Sequence, residues 1–151
     1  MFHPVYALLE KLGYTHPIHP MVTHITVGLT IGTLVFGLVS VLFRRVRLKL
    51  TAWHCALLAI VSVLPTALFG IMDWQERLNG EWIPTIIAKM ILAGSLFVTL
   101  LFALLLGRSR EGEDESARPW RSPRAVVALI LYGVSTGIVI ALGFLGGSLV
   151  Y

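Results

Sequence analysis

Residues 21–43 read MVTHITVGLTIGTLVFGLVSVLF and contain no Asp, Glu, Lys or Arg. A helix of about 20 such residues, rising about 1.5 Å per residue, crosses the roughly 30 Å hydrocarbon core of a bilayer. Three further stretches are similarly long and apolar, namely residues 50–72, residues 83–106, whose single charged residue is Lys89, and residues 125–151. The sequence therefore predicts an all-α integral membrane protein, a four-helix bundle that forms a single domain over residues 1–151.

The overall composition supports this class. Hydrophobic residues make up 56% of the chain and charged residues 13%, whereas ordinary soluble domains carry about 25% charged residues. The net charge of +4 would suit a nucleic-acid partner in a soluble protein. Because the basic residues flank predicted spans, we expect the lipid bilayer as partner and no nucleic acid. The single Cys55 excludes an internal disulfide and a site built from several cysteines of one chain.

Two polar regions lie outside the predicted spans. Residues 5–12 predict a short interfacial helix on the membrane surface, and the N-terminus lacks the pattern of a cleaved signal peptide. Residues 107–123, GRSREGEDESARPWRSP, are of mixed charge and almost without apolar side chains. Such a segment cannot bury enough surface to offset its ordering entropy, so we expect a mobile cytoplasmic loop.

The basic residues predict the orientation in the membrane. Nine of the twelve Lys and Arg residues fall in the loops between the first two and the last two spans, at Arg44, Arg45, Arg47, Lys49, Arg108, Arg110, Arg118, Arg121 and Arg124. Loops rich in Lys and Arg stay on the cytoplasmic side. Both termini are then predicted to face the periplasm of a bacterial inner membrane.

A histidine cluster lies on the predicted periplasmic side. His16, His19 and His24 occur in HPIHPMVTH, and antiparallel spans place Asp73 on the same side. Imidazole and carboxylate ligands suit zinc, copper or iron, so His16, His19, His24 and Asp73 form a candidate metal site. The alternative is that these histidines only form hydrogen bonds at the membrane interface.

His24 is also a candidate ligand for haem b, since imidazole is a common axial ligand of haem iron. Gly28 and Gly32 follow it at spacings of four, and they would either pack against another helix or leave a flat wall for the macrocycle. His54 lies at the opposite interface, so the second ligand would be Lys89, Met90, water or a residue of another subunit. Lys89 itself would reach the interface or pair with Asp73.

Three separated motifs resemble the bacterial membrane-protein family called domain of unknown function 2231. They are HPIHPMVTH, GIMDW at residues 70–74 and LGFLGGSLVY at residues 142–151. The resemblance implies four spans, no established activity and a role near respiratory electron transfer. The characteristic residues of the family fall on His16, His19, His24, Asp73, Trp74, Gly146 and Gly147. Many relatives have a histidine early in the third span, where this chain has Lys89 and Met90.

Three functions follow from these observations. The first is a membrane electron-transfer protein resembling a small b-type cytochrome, with its centre near the periplasmic face. The second is a periplasm-facing metal-binding protein for copper, zinc or iron, and the third is a cofactor-free accessory subunit of a membrane complex. Other redox or respiratory membrane subunits and a homodimer are the possible partners. No nucleophile with a base and no phosphate-binding loop is present, so we expect no catalytic activity of the chain alone.

Overall fold

The described part of the computed structural model is made of four helices. The structure describes residues 11, 13, 18–107 and 123–147, and no strand occurs among them. The helices are α1 (Ile18–Phe43), α2 (Val46–Arg77), α3 (Pro84–Gly107) and α4 (Pro123–Gly147). All four are long and apolar enough to cross a membrane. The predicted all-α four-helix bundle is confirmed.

The helix ends differ from the predicted spans by a few residues. The largest difference is in α2, which runs through 32 residues instead of stopping at residue 72, and Pro65 lies inside it. Gly107 and Pro123 belong to helices, and the predicted mobile loop between them lies outside the described residues. Of the predicted interfacial helix at residues 5–12, only the helical Lys11 is described.

The helices pack in chain order around the bundle. Contacts are most extensive between α1 and α2 and between α3 and α4, and α1 also packs on α4 and α2 on α3. At Gly37 of α1, an added Cβ would lie 3.2 Å from side-chain atoms of both Leu129 and Tyr132, so α1 and α4 approach closely there. Short turns make α1 antiparallel to α2 and α2 antiparallel to α3. Lys89 near the start of α3 lies beside Gly146 near the end of α4, so these two helices are antiparallel as well.

These turns define two ends of the bundle. At the Arg45 end, Arg44 has a φ of 51° and leads from α1 into α2. At the His19 end, Asn79 and Gly80 have φ values of 48° and 71°, and glycine meets this left-handed conformation without strain. The Trp74 indole N–H donates to the Glu81 carbonyl at 2.8 Å, which fixes the α2–α3 turn. The His19 end therefore gathers the start of α1, the α2–α3 turn, the start of α3 and the end of α4.

The buried side of α1 is made of small and hydroxyl-bearing residues. Thr26, Thr30, Thr33, Gly37 and Ser40 are all buried and alternate at spacings of four and three. The facing helix α2 contributes the buried residues Ala52, Ala56, Ala59 and Val63. Small side chains let membrane helices approach closely and bring polar groups within hydrogen-bonding distance.

Gly28 and Gly32, the two glycines of α1 considered in the sequence, do not belong to this buried stripe. Gly28 is exposed, and an added Cβ there, or at Gly133 or Gly137, would meet no atom within 4 Å. Gly32 instead faces Cys55, whose Sγ would lie 3.8 Å from an added Cβ. Gly28 therefore makes no close helix contact within the described part of the chain, and neither do Gly133 and Gly137 of α4. The buried stripe of α1 follows residues 26, 30 and 33 rather than 24, 28 and 32.

The outward surface of the bundle is strongly apolar. Large hydrophobic side chains are exposed on every helix, including Leu42 at 75%, Leu64 at 62%, Ile91 at 64% and Phe144 at 78%. Soluble monomers rarely expose so much contiguous apolar surface. This surface fits the interior of a bilayer.

Candidate functional site

His19 occupies a groove between α1 and α2. It lies in the first turn of α1, and its ring is placed against Gly70 of α2. A Cβ added to Gly70 would lie 3.1 Å from both Cε1 and Nδ1 of the ring, which is too close for ordinary packing. The absence of a side chain at residue 70 therefore makes the space that His19 occupies.

Hydrogen bonds define the orientation and tautomer of His19. Its Nδ1 lies 2.9 Å from the Thr66 carbonyl oxygen. A carbonyl oxygen only accepts, so Nδ1 carries the hydrogen, and in the neutral ring the lone pair is on Nε2. The Thr23 hydroxyl lies 3.4 Å from Nε2 but donates to the His19 carbonyl at 2.7 Å. Since a hydroxyl has one hydrogen, Thr23 leaves the Nε2 lone pair without a strong donor.

The surroundings of His19 favour the neutral ring. Burial is the largest influence and lowers the pKa of His19, because a charged imidazolium loses hydration there. The positive charge of Lys89 also lowers this pKa, while the Thr66 hydrogen bond and the Asp73 carboxylate raise it. The net direction is downward, so His19 is neutral at pH 7.

Asp73 links His19 to the other side of the bundle. Its Oδ2 accepts the backbone N–H of His19 at 3.1 Å, which holds the start of α1 against α2. Lys89 of α3 is half-buried and interacts electrostatically with Asp73. The Lys89 Nζ also lies 4.0 Å from the position of a Cβ added to Gly146 of α4. One residue of each helix thus contributes to a polar cluster, defined here as the His19 cluster (His19, Asp73, Lys89 and Gly146).

A chain of hydroxyl groups extends from this cluster into the bundle. The Thr26 hydroxyl of α1 lies 2.9 Å from the hydroxyl of Ser62 and 2.9 Å from that of Thr66, both on α2. Thr66 donates to the Ser62 carbonyl and Ser62 to the Ala59 carbonyl, each at 2.8 Å. The hydroxyl hydrogens of Thr66 and Ser62 are therefore already donated. Only the Thr26 hydroxyl has a hydrogen left to donate in its two contacts with these hydroxyl groups. This network joins α1 to α2 below the His19 cluster.

Sequence reasoning missed the hydroxyl network and Gly70. The available signal was the spacing of residues 19, 23, 26, 30 and 33 on α1 and of residues 62, 66, 70 and 73 on α2. Alternating steps of three and four keep side chains on one helix face. Polar residues with this spacing inside two apolar spans indicate two faces that share hydrogen bonds.

The structure brings together only part of the predicted site. His19 and Asp73 are neighbours, whereas His24 is exposed and makes no hydrogen bond to any residue that the structure describes. Five residues correspond to about 500° of helix rotation, so the two histidines point about 140° apart. His16 lies outside the described residues. Within the described ranges, no three His, Cys, Asp or Glu side chains are grouped to hold a metal ion.

The predicted haem residues are also separated. His24 and Gly28 share an exposed face of α1, but Gly32 faces α2. Lys89 belongs to the His19 cluster, and Met90 is exposed on α3, which is not a principal neighbour of α1. Neither residue is therefore positioned opposite His24 to complete a haem site within one chain. His54 is exposed near the Arg45 end, where its Nδ1 donates to the Leu50 carbonyl of its own helix at 2.8 Å.

Comparison with known proteins gives one match. A family model described as a predicted membrane protein, domain of unknown function 2231, matches residues 15–151. No curated protein and no solved structure matches the chain. The match covers all four described helices and nearly the whole sequence.

Proposed function

The chain belongs to the predicted membrane proteins of domain of unknown function 2231, and we propose that it is a metal-binding membrane protein with His19 as a ligand. The observation that carries this proposal is the hydrogen bond from His19 Nδ1 to the Thr66 carbonyl. Metal-ligating histidines usually donate their other ring N–H to a carbonyl or carboxylate, which fixes the lone pair that binds the metal. Copper, zinc and iron are the candidate ions.

Asp73 is the natural second ligand. One of its oxygens accepts the His19 backbone N–H, and a carboxylate has further lone pairs with which to bind a cation. His16, three residues before His19, is the candidate third ligand. His24 is left out of this set because it is on the exposed side of α1. The revised ligand set is therefore His16, His19 and Asp73.

The charge of Lys89 predicts how metal affinity should change on substitution. Its ammonium neutralises part of the negative charge of Asp73 when no metal is bound. A divalent cation in the same place would be repelled by Lys89 and attracted by Asp73. Removal of the lysine charge should therefore tighten metal binding, while removal of the aspartate charge should weaken it.

The test is metal binding by the purified full-length protein in nanodiscs. Copper, zinc and ferrous iron are titrated separately, and bound metal is measured by mass spectrometry. We expect His19→Ala and Asp73→Asn to weaken binding at least tenfold, and Lys89→Met to strengthen it. His54→Ala is the matched control, since His54 is exposed and bonds only within its own helix among the described residues. Equal binding by all of these variants, or no binding by the wild type, would contradict the proposal.

A second candidate function is electron transfer through haem b bound at His24. The observation that favours it is the exposed His24 ring, without a hydrogen bond among the described residues, beside the open surface at Gly28. These residues would lie against one face of a macrocycle and would supply one axial ligand. The second ligand would come from a second copy or from another redox membrane subunit. Bound haem would supply the one-electron chemistry, while His24 would hold it at the bundle surface.

Optical spectroscopy separates this candidate from the metal site. The protein is expressed with ample haem supply, and its Soret absorbance is compared with those of His24→Ala and His19→Ala. Haem at His24 predicts loss of the band in His24→Ala and its retention in His19→Ala. A wild-type protein without a Soret band would contradict haem binding and leave the metal proposal unaffected.

A further inference from the structure

The Arg45 end of the bundle carries an exposed basic patch. Arg44, Arg45 and Arg47 are all exposed, and none forms an ion pair with a described residue. Every acidic residue that the structure describes, namely Asp73, Glu76 and Glu81, lies at the His19 end. The charges of Arg44, Arg45 and Arg47 are therefore not compensated by an acidic residue that the structure describes.

The turn between α1 and α2 fixes the positions of these arginines. Arg44 adopts a left-handed conformation with a φ of 51°, and the Arg45 N–H donates to the Ser40 carbonyl at 3.1 Å. Arg45 then begins α2 with an extended backbone and makes no side-chain cap. The three guanidinium groups are thus attached to a short, hydrogen-bonded turn and to the first turn of α2 rather than to a long loop.

The backbone of the same turn favours negative charge. The first turn of α2 contains no acidic residue and has no side-chain cap. The first N–H groups of a helix lack partners within the helix, and they add a partial positive charge to that of the arginines. Guanidinium groups bind phosphate through paired N–H donors, which distinguishes them from the point charge of lysine.

The membrane determines which phosphate is within reach. The turn joins two helices that span the bilayer, so its arginines lie at the level of the lipid headgroups. Juxtamembrane basic residues are attracted to anionic lipids. We propose that Arg44, Arg45 and Arg47 form a binding site for the phosphate of an anionic phospholipid headgroup.

The experiment measures lipid binding by the full-length protein. Native mass spectrometry compares adducts of phosphatidylglycerol with those of phosphatidylcholine. We expect a preference for phosphatidylglycerol, and a loss of about 100-fold in the Arg44→Gln, Arg45→Gln, Arg47→Gln triple variant, since each basic residue contributes about fivefold. Arg→Lys at the same three positions keeps the charge but not the paired N–H donors, so it should weaken binding by less than the Gln variant. Lys11→Gln, in the segment that precedes α1, should leave the binding of phosphatidylglycerol unchanged.

Four outcomes would overturn the proposal. One is equal binding of the two lipids, and another is unchanged phosphatidylglycerol binding in the triple Gln variant. The third concerns Glu111, Glu113, Asp114 and Glu115, which the sequence places between α3 and α4 on the same side. Preference for phosphatidylglycerol that appears only after their conversion to amides would show that this acidic segment occupies the arginines. Competition by millimolar inorganic phosphate against lipid would instead identify a site for free phosphate.

Discussion

A single missing side chain, that of Gly70, creates the place where His19 binds its partners. The ring of His19 lies where a Cβ of residue 70 would be 3.1 Å from two ring atoms. Both the Thr66 carbonyl and the Asp73 carboxylate reach His19 from the same helix. The chemistry of the His19 cluster thus depends on a residue that has no functional group.

Substitution of Gly70 tests this dependence. Gly70→Ala should displace the ring and lower the free energy of unfolding by about 1–3 kcal/mol, as overpacking of close contacts does. Gly28→Ala is the matched control, because an added Cβ there meets no atom within 4 Å. In a helix interior that change should be neutral or stabilising by about 0.5–1 kcal/mol. Thermal unfolding of both variants in detergent provides the measurement, and equal shifts would contradict the steric argument.

The lowered pKa of His19 predicts the pH dependence of stability. The unfolded chain takes up a proton at His19 near the ordinary pKa of 6.5, whereas the buried ring resists protonation. The free energy of unfolding should therefore decrease as the pH falls below about 6.5 and the contribution of His19 should be constant above it. His19→Asn retains a side-chain N–H for the Thr66 carbonyl but does not titrate. Thermal unfolding from about pH 7.5 to 5, with a chelator present, should show a shallower dependence in this variant, and identical slopes would exclude the role of His19.

At the scale of the helix, the buried face of α1 differs from that of an ordinary amphipathic helix. Its buried residues Thr26, Thr30 and Thr33 are polar, while its exposed face carries Ile31, Val35 and Leu38. Lipid is as apolar as leucine, so burial of apolar side chains does not drive these helices together. Close packing of small residues and shared hydrogen bonds do so instead.

The Thr26 hydroxyl contributes to the association of α1 with α2. Thr26→Val keeps the shape of the side chain but removes both contacts, to Ser62 and to Thr66. We expect a loss of about 0.6 kcal/mol in unfolding free energy, the average for interhelical hydrogen bonds in membranes, and of at most about 1.7 kcal/mol. Thr99→Val is the control, because among the described residues the Thr99 hydroxyl bonds only to the Ser95 carbonyl of its own helix. A Thr99 variant that loses as much stability as the Thr26 variant would show that the interhelical bonds contribute nothing.

The helices could be predicted from the sequence, but their orientation about their own axes could not. Long apolar stretches determine that helices form, since a bilayer leaves backbone groups no other partners. In an apolar span, however, both faces consist of similar hydrophobic side chains, so hydrophobic periodicity does not separate the lipid-facing side, and only the spacing of the few polar residues indicates the buried side. The spacing of Gly28 and Gly32 suggests a helix contact, yet Thr26 and Thr30 mark the buried face. For the same reason His24 could not be separated from His19 before the fold was known.

At the scale of the whole molecule, charge is distributed unequally between the two ends. The His19 end holds the acidic residues that the structure describes, and Arg44, Arg45 and Arg47 mark the other end. The candidate metal site and the proposed lipid site therefore lie on opposite sides of the membrane. Which side each one faces depends on the orientation of the bundle as a unit.

The distribution of basic residues predicts the orientation of the bundle in the membrane. Nine of the twelve Lys and Arg residues lie in the two connections at the Arg45 end or in the helix turns that flank them, so this end should stay in the cytoplasm. A reporter fused after Tyr151 should then be active only when it requires the periplasm, and one inserted between residues 110 and 118 only when it requires the cytoplasm. Exchange of the basic residues between the two ends should reverse both signals. A C-terminal reporter active in the cytoplasm would move the His19 cluster to the inner face, and any metal bound there would have to come from the cytoplasmic pool.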